Sequence, residues 1–423
     1  MRKILSVALI AILFASCSTT RDYISDYTLS ETVPLEEKLD YYGGKKVSVD
    51  LPEMFFTGEE WLERMTELAS SAEDYILIST FLGSSSELTE PFYKILMDKA
   101  SSGVDVYFIM DGTSSYDMTE SQYYMTPLYF LREAGVHLLE YNPMSAMHIA
   151  KPSSLIQRDH RKLFVVDGKW AAIGGMNINY ISLGAGKGRT QRDSMYLFSS
   201  PSLSSALIEE FAAIWNASSV EKIDEDRFNR DESDNGSYSA YLFNYGTGSN
   251  DSISGLYGSL FASAEEEMII LPYLPILDKK MEKAVSLASE RGVDIKIYMD
   301  IDSRGYAMNG MSYYLPSLIR NTGAEIYLVH TDENGTELPL MHEKLMIIDS
   351  RYVLIGSTNF NFRSMGLSYE ISLLIDSPEL AEKLKEHVKE RTSSAVLLTA
   401  EDADRMKKEY GSLFSYLFMY YGG

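Results

Sequence analysis

The chain has 423 residues, a formal net charge of −23 and 45% hydrophobic residues, enough for two domains and a core that needs no metal or disulfide staple. Its single cysteine excludes an internal disulfide framework, a four-thiol zinc site and an iron–sulfur cluster. The excess of 61 acidic residues over 38 Lys and Arg argues against a general nucleic-acid binder, which needs a basic face, and against purely electrostatic docking on anionic lipid.

At the N-terminus, Arg2 and Lys3 precede an apolar run over residues 4–14, and the small residues Ala15 and Ser16 lead into Cys17. The run is short for a bilayer span and has the order of an export signal. A cysteine at its end is where bacterial lipoproteins are lipidated. Residues 1–16 are therefore expected to be a lipoprotein signal and Cys17 the anchor, although Phe14 stands where that pattern has leucine. An ordinary secretory signal, or a short buried helix with an incidental thiol, is the alternative. Residues 17–46 read as a tether, and the expected location is a bacterial cell membrane, periplasmic or outer face.

The rest of the chain repeats itself. Residues 72–78 read as a helix end running into a buried strand, 91–102 as a helix and 103–111 as a second strand. Residues 264–271, 278–290 and 292–300 match these in turn, and 134–138 is echoed by 322–326. Strands alternating with helices predict parallel α/β layers, built twice. Residues 220–239, rich in Asp, Glu, Asn, Ser and Gly, read as an exposed acidic linker. The halves are thus expected over 47–219 and 240–423, as a duplicated pseudo-dimer.

Chemistry repeats with the fold. The first copy is His160-Arg161-Lys162, then Asp167 and Gly174-Gly175-Met176-Asn177; the second is His342-Glu343-Lys344, then Asp349 and Gly356-Ser357-Thr358-Asn359. Both have the form HxK-x4-D-x6-G-[GS]-x-N, in a chain with only six histidines. Each reads as strand, turn and returning strand. His and Lys two apart share a face, and the return brings Asn beside them. The glycines suit close backbone approach, as in a phosphate cradle. Two imidazoles, two ammonium groups and two carboxamides suit a phosphodiester. Lys162, Asn177, Lys344, Ser357 and Asn359 would bind its phosphate while the histidines handle nucleophile and proton work. Asp167 and Asp349, at turns, are read as structural hairpin caps. His137, His148, His330 and His387 lack matching contexts and are read as ordinary side chains.

These residues resemble the phospholipase D superfamily. The run from His160 through Asn177-Ile178 to Arg192-Asp193 is similar to the first motif of bacterial cardiolipin synthases; Gly356–Asn359 with Arg363-Ser364 and Glu370 is similar to the second. The resemblance covers roughly residues 55–423 and departs from the pattern at Asn361, where an acidic residue is usual, and at the N-terminus, where two membrane spans are usual. It implies two α/β/α halves packed around one shared site. It also implies a two-step displacement through a phosphohistidine, with His160 as nucleophile and His342 as acid/base, and with Glu370 and Asp193 orienting the imidazoles. That route needs no metal and no organic cofactor.

The expected activity is phosphatidyl transfer between phospholipid and an alcohol, by a monomer held at the membrane through its N-terminal lipid. Hydrolysis by the same site is the nearest alternative, a secreted nuclease or phosphodiesterase a more distant one that the acidic charge disfavours, and a non-catalytic lipid-binding lipoprotein a third. The aromatic stretch 410–421 is expected to pack on the second half, with insertion into a bilayer interface as the other reading.

Overall fold

A computed structural model of the chain describes residues 24–116, 128–143, 157–184, 190–228, 236–244, 252–301, 305–332 and 334–422. In chain order the first nine strands are β1 (Lys45–Val49), β2 (Glu53–Phe55), β3 (Tyr75–Thr80), β4 (Asp105–Asp111), β5 (His137–Tyr141), β6 (Leu163–Val166), β7 (Trp170–Gly174), β8 (Gln191–Arg192) and β9 (Met195–Ser199). The next nine are β10 (Tyr238–Asn244), β11 (Glu267–Leu271), β12 (Asp294–Met299), β13 (Glu325–Leu328), β14 (Leu340–Met341), β15 (Leu345–Ile348), β16 (Tyr352–Gly356), β17 (Ile371–Asp376) and β18 (Val396–Leu397).

Two large sheets result. One runs β2-β9-β7-β6-β3-β4-β5, the other β1-β10-β17-β16-β15-β11-β12-β13-β18. Strands β2 to β5, β6, β7 and β9 correspond in order to β10 to β13, β15, β16 and β17, so the duplication is real and the second sheet adds an edge strand at each end. The sheets are mixed. β3, β4 and β5 are parallel, as are β11, β12 and β13, but the motif strands pair antiparallel. The reason is local: Asp167 and Gly168, and Asp349 and Ser350, all have positive φ, the left-handed geometry of a tight hairpin, which joins antiparallel neighbours only.

Alternation along the strands makes two cores. Ile76, Ile78, Val106 and Phe108 face one way, onto the helices Gly58–Ser71 and Glu90–Ser101 through Trp61, Met65, Phe92 and Leu96. Tyr75, Leu77, Tyr107 and Ile109 face the other way, into a core that runs without a break through the helix Pro201–Ser218 (Leu207, Phe211, Trp215) to Val47, Leu242 and the whole second half. Ser200 and Ser377 cap the corresponding helices Pro201–Ser218 and Pro378–Arg391, each accepting from a backbone N–H in the first turn, and each is followed by proline at the first position.

Three boundaries differ from the sequence reading. The expected tether is folded from Ile24 onward: the helix Leu35–Tyr41 buries Leu39, Ile24 and Thr28 lie against Gly258, Tyr42 lies against Gly255, and β1 pairs with β10. Sparse apolar residues there sit at the spacing of one docked face, which composition alone hides. β1 also carries residues 47–49 into the second sheet, so the first half begins after it. Within the expected linker, Ile223 and Phe228 are buried, Phe228 against Tyr75 and Tyr107, and Tyr238 already belongs to β10. The signal and Cys17 lie outside the described residues, as does His148.

Candidate active site

Each motif hairpin points its His/Lys pair toward the other half. His160 N donates to Tyr369 O at 2.9 Å and Tyr369 N to Arg158 O at 2.8 Å. Correspondingly, β14 pairs in parallel with β8, and His342 N donates to Arg192 O at 2.8 Å. Tyr369 immediately precedes Glu370, and Arg192 immediately precedes Asp193. This backbone register therefore sets each orienting carboxylate beside the histidine of the opposite copy. His160 Nδ1 lies 3.0 Å from Glu370 Oε2, and His342 Nδ1 lies 2.5 Å from Asp193 Oδ2. With Nδ1 so engaged, Nε2 of each ring is the atom left for chemistry.

The expected site residues are brought together and buried: His160, Lys162, Asn177, Asp193, His342, Lys344, Asn359 and Glu370. Lys162 Nζ donates to His160 O at 2.6 Å, and Lys344 Nζ to His342 O. Lys344 Nζ also lies 2.7 Å from His342 Nδ1 and 3.2 Å from Nε2. Asn177 Oδ1 accepts from Leu82 N at 3.2 Å, leaving its NH2 as the group available to an anion. The Asn359 side-chain oxygen is buried with no hydrogen-bond partner among the described residues. A buried, unpaired carboxamide end is costly unless a ligand completes it.

Electrostatics follow from burial. Burial pushes His342 down to about 3, helped by Lys344 and opposed by Asp193. His160 is held well below its ordinary value by burial, then by Lys162, Lys344 and Arg363. Burial lowers Lys162 to about 7 against the pull of Glu370, and Lys344 to about 8 against that of Asp193. The carboxylates diverge: burial raises Glu370 to about 7, whereas for Asp193 burial is outweighed by Lys344 and His342, and its value falls. The interactions of Lys162 with Lys344 and Asp193, and of His160 with Lys344, cross between the copies, which makes this one site rather than two.

Some expectations change. The glycines face protein rather than a phosphate. A Cβ on Gly175 would sit on the Asp193 carboxylate, one on Gly174 on Ser194 O, and one on Gly356 on Ile371 O, while Gly175 N donates to Ser194 O. Their close approach is to the segments that run from the acids into β9 and β17. Ser357 is likewise not free for phosphate: its hydroxyl donates to Glu370 Oε2 at 2.5 Å and accepts from Ile371 N at 3.0 Å. Asp167 and Asp349 are structural, but they anchor the neighbouring strand rather than cap their own hairpins. Asp167 accepts from Glu73 N, Asp74 N and Tyr75 N, each at 2.9 Å, and Asp349 from Glu265 N, Glu266 N and Glu267 N at 2.8–3.0 Å.

Sequence reading missed the aromatic cover. Phe81 and Tyr273, at corresponding places after β3 and β11, lie against His160 and His342 with ring centroids 4.9 and 4.4 Å apart. Lys162 and Lys344 stand 5.3 and 5.4 Å from the same two rings. Their signal was the aligned aromatic just past each matched strand, one residue after β3 and two after β11. It also missed Arg158, which is buried and paired with Asp111 at 3.0 Å, and the buried Arg161–Asp159 pair at 2.8 Å. Three unmatched histidines are ordinary partners: His137 with Glu221, His330 with Asp300 and His387 with Glu343.

Comparison with known proteins agrees with this geometry. The chain is 25% identical over 374 residues to the probable cardiolipin synthase YwiE of Bacillus subtilis, covering 85% of this chain and 70% of that one. It is 26% identical over 353 residues to a cardiolipin synthase of Listeria monocytogenes (82% and 70%), and 24% identical over 367 residues to the minor cardiolipin synthase ClsB of B. subtilis (83% of each). The fold is also that of a phosphatidylserine synthase from Haemophilus influenzae, with a TM-score of 0.66 at 14% identity over 91% of this chain and 98% of that one. The family model described as cardiolipin synthase, PLD-like domain matches residues 65–215 and 258–392, one stretch in each half, and the chain belongs to that family.

Proposed function

We propose that the protein is a phosphatidyltransferase of phospholipid metabolism, similar to the cardiolipin synthases, that works through a phosphohistidine. The observation that carries this reading is the pair of neutral, buried imidazoles, each held at Nδ1 by a carboxylate from the opposite copy, beside two buried lysines. His160 Nε2 attacks the phosphorus of a phosphatidyl donor, the bond to the headgroup oxygen breaks, and His342 gives that oxygen its proton. The acceptor alcohol then loses its proton to His342 and displaces His160, breaking the P–N bond. The firmly ionised Asp193 supports an imidazolium at His342, whereas Glu370, on the verge of protonation, supports one less well at His160. This difference favours His342 as acid/base and His160 as nucleophile. An anionic phosphodiester raises every depressed site value, which is how His342 acquires the proton it donates.

Membrane attachment through a lipidated Cys17, export to a periplasmic or outer membrane face, and action as a monomer complete the proposal. The experiment is to incubate the protein with phosphatidylglycerol vesicles and identify products by mass spectrometry. Cardiolipin and glycerol are expected, and both vanish in His160→Ala and His342→Ala. Phosphatidic acid alone at high lipid density would overturn transfer in favour of hydrolysis.

A further inference from the structure

The C-terminal helix Leu413–Gly422 carries no charged side chain in a chain of net charge −23. One face is packed: Ser415 and Met419 are buried, Met419 against Gly310, while Tyr416 stacks on Tyr314 (centroids 5.6 Å) and Tyr420 on Phe362 (4.5 Å). The other face is open, with Leu413 52% and Phe414 63% exposed and Phe418 beside the exposed Tyr306, centroids 5.7 Å apart. Exposed Tyr410 extends the patch. We propose that this aromatic face is a docking surface for an anionic phospholipid bilayer, seating the active-site end of the second half on the lipid that holds its substrate; the proposal rests on the phosphatidyltransferase reading.

Three observations identify a bilayer as the occupant. The helix that carries the patch also meets the site: Tyr420, on its packed face, stacks on Phe362, which lies three residues after Asn359 and begins the short helix Phe362–Gly366. The described chain begins on the same side. Ile24, seven residues after the expected anchor Cys17, packs on Gly258, one helical turn from Ser254, whose hydroxyl donates to Met365 O of that short helix. Next to the patch two lysines face one carboxylate, the acids Glu401, Asp402 and Asp404 lying toward the far end of the preceding helix. Lys407 and Lys408 close the helix Ala400–Tyr410 immediately before it; Lys408 is exposed, and the nearby Glu409 carboxylate accepts from the Tyr410 hydroxyl at 2.5 Å. Basic side chains flanking exposed aromatics match an interface of anionic headgroups over acyl chains.

The test uses the full chain with Phe414→Asp/Phe418→Asp, assayed on phosphatidylglycerol vesicles and on monomeric dihexanoyl phosphatidylglycerol. Activity on vesicles is expected to fall about tenfold or more with activity on the monomeric lipid unchanged. An environment-sensitive fluorophore on Phe414→Cys, in a Cys17→Ala background, is expected to shift to the blue on adding phosphatidylglycerol vesicles and to shift less in Lys408→Glu. Equal vesicle activity in the double variant, or a probe that stays in water, overturns the proposal. So does a stable dimer that the double variant dissociates, since a second copy would then cover the patch. Wild-type protein inactive on both lipids, but with the blue shift intact, would overturn the enzymatic reading and leave the docking surface standing.

Discussion

Asp193 accepts from His342 across a 2.5 Å contact and is fully buried beside Lys344, so its replacement by an isosteric amide removes both the tautomer lock and the charge that stabilises imidazolium. Asp193→Asn is therefore expected to lower kcat by about 10²–10⁴-fold with little change in KM or in melting temperature. Steady-state kinetics on phosphatidylglycerol checks this, and a change confined to KM would contradict it. The lysines give a second expectation. In the empty site Lys162 titrates near about 7 and Lys344 near about 8, and a bound anion raises both. Binding is thus strongest below pH 7, where both are already protonated, and weakens as pH rises through 7 to 8, by up to about tenfold per pH unit for each lysine. Tungstate, a dianion throughout that rise in pH, should show this loss in its inhibition constant. A flat profile would mean ordinary lysines. Glu343, in contrast, fills the variable motif position and pairs with Arg391 and His387, as Arg161 pairs with Asp159 on the other side. That position serves packing between layers, which explains why the two copies differ there while His and Lys stay in register.

At the scale of elements, the motif's Asp joins a hairpin to a neighbouring strand. Asp167 holds three backbone N–H groups at the entry to β3, and Asp349 does the same for β11. Asp167→Asn keeps the side-chain shape and tolerates the positive φ, but loses the charge-assisted bonds. A loss of about 1–3 kcal/mol in denaturant unfolding is expected, with activity per folded molecule unchanged. A large loss of activity at unchanged stability would return this residue to the chemistry. The matched strands, their helices and the motif hairpins were all legible in the sequence, because period-2 apolar runs and turn pairs are local signals. The antiparallel pairing of the motif strands followed from the Asp-Gly and Asp-Ser turns, and the parallel pairing of β3 to β5 and of β11 to β13 from the strand–helix alternation. The role of the glycines was not legible. Their neighbours, Asp193 and Ser194 just before β9 and Ile371 at the start of β17, belong to the next strand segment of each sheet, and nothing at positions 174–177 or 356–359 says which segment that is.

Across the whole molecule, the N-terminal segment is part of the second half. Ile24, Leu39, Tyr42, Val47 and Val49 are buried, and β1 covers the edge of β10. Deleting residues 1–49 is expected to uncover that edge and this apolar surface, lowering the melting temperature by about 5–10 °C and promoting aggregation. An unchanged melting temperature would restore the view of a tether. The helix Pro201–Ser218 acts at the same scale, since its Leu207, Phe211 and Trp215 join the inner face of the first sheet to the core of the second half. The halves are thus held in one orientation by a shared core as well as by the strand pairing at the site.

Two copies of HxK-x4-D-x6-G-[GS]-x-N were enough to determine by themselves the duplication and the phosphodiester-type residue set, because residue types at fixed spacing on a strand–turn–strand are written in the chain; Glu370 and Asp193 came only with the family resemblance, since they follow their motifs at different distances. The tertiary structure alone decided the partnership, Glu370 with His160 and Asp193 with His342, because it depends on strand pairing between residues more than a hundred positions apart. It also decided the protonation of the site. Neutral imidazoles, weakened lysines and the contrast between Glu370 and Asp193 arise from burial and from charges brought in by the other copy, and a side chain's solvation is a property of the packed molecule, not of its neighbours in sequence.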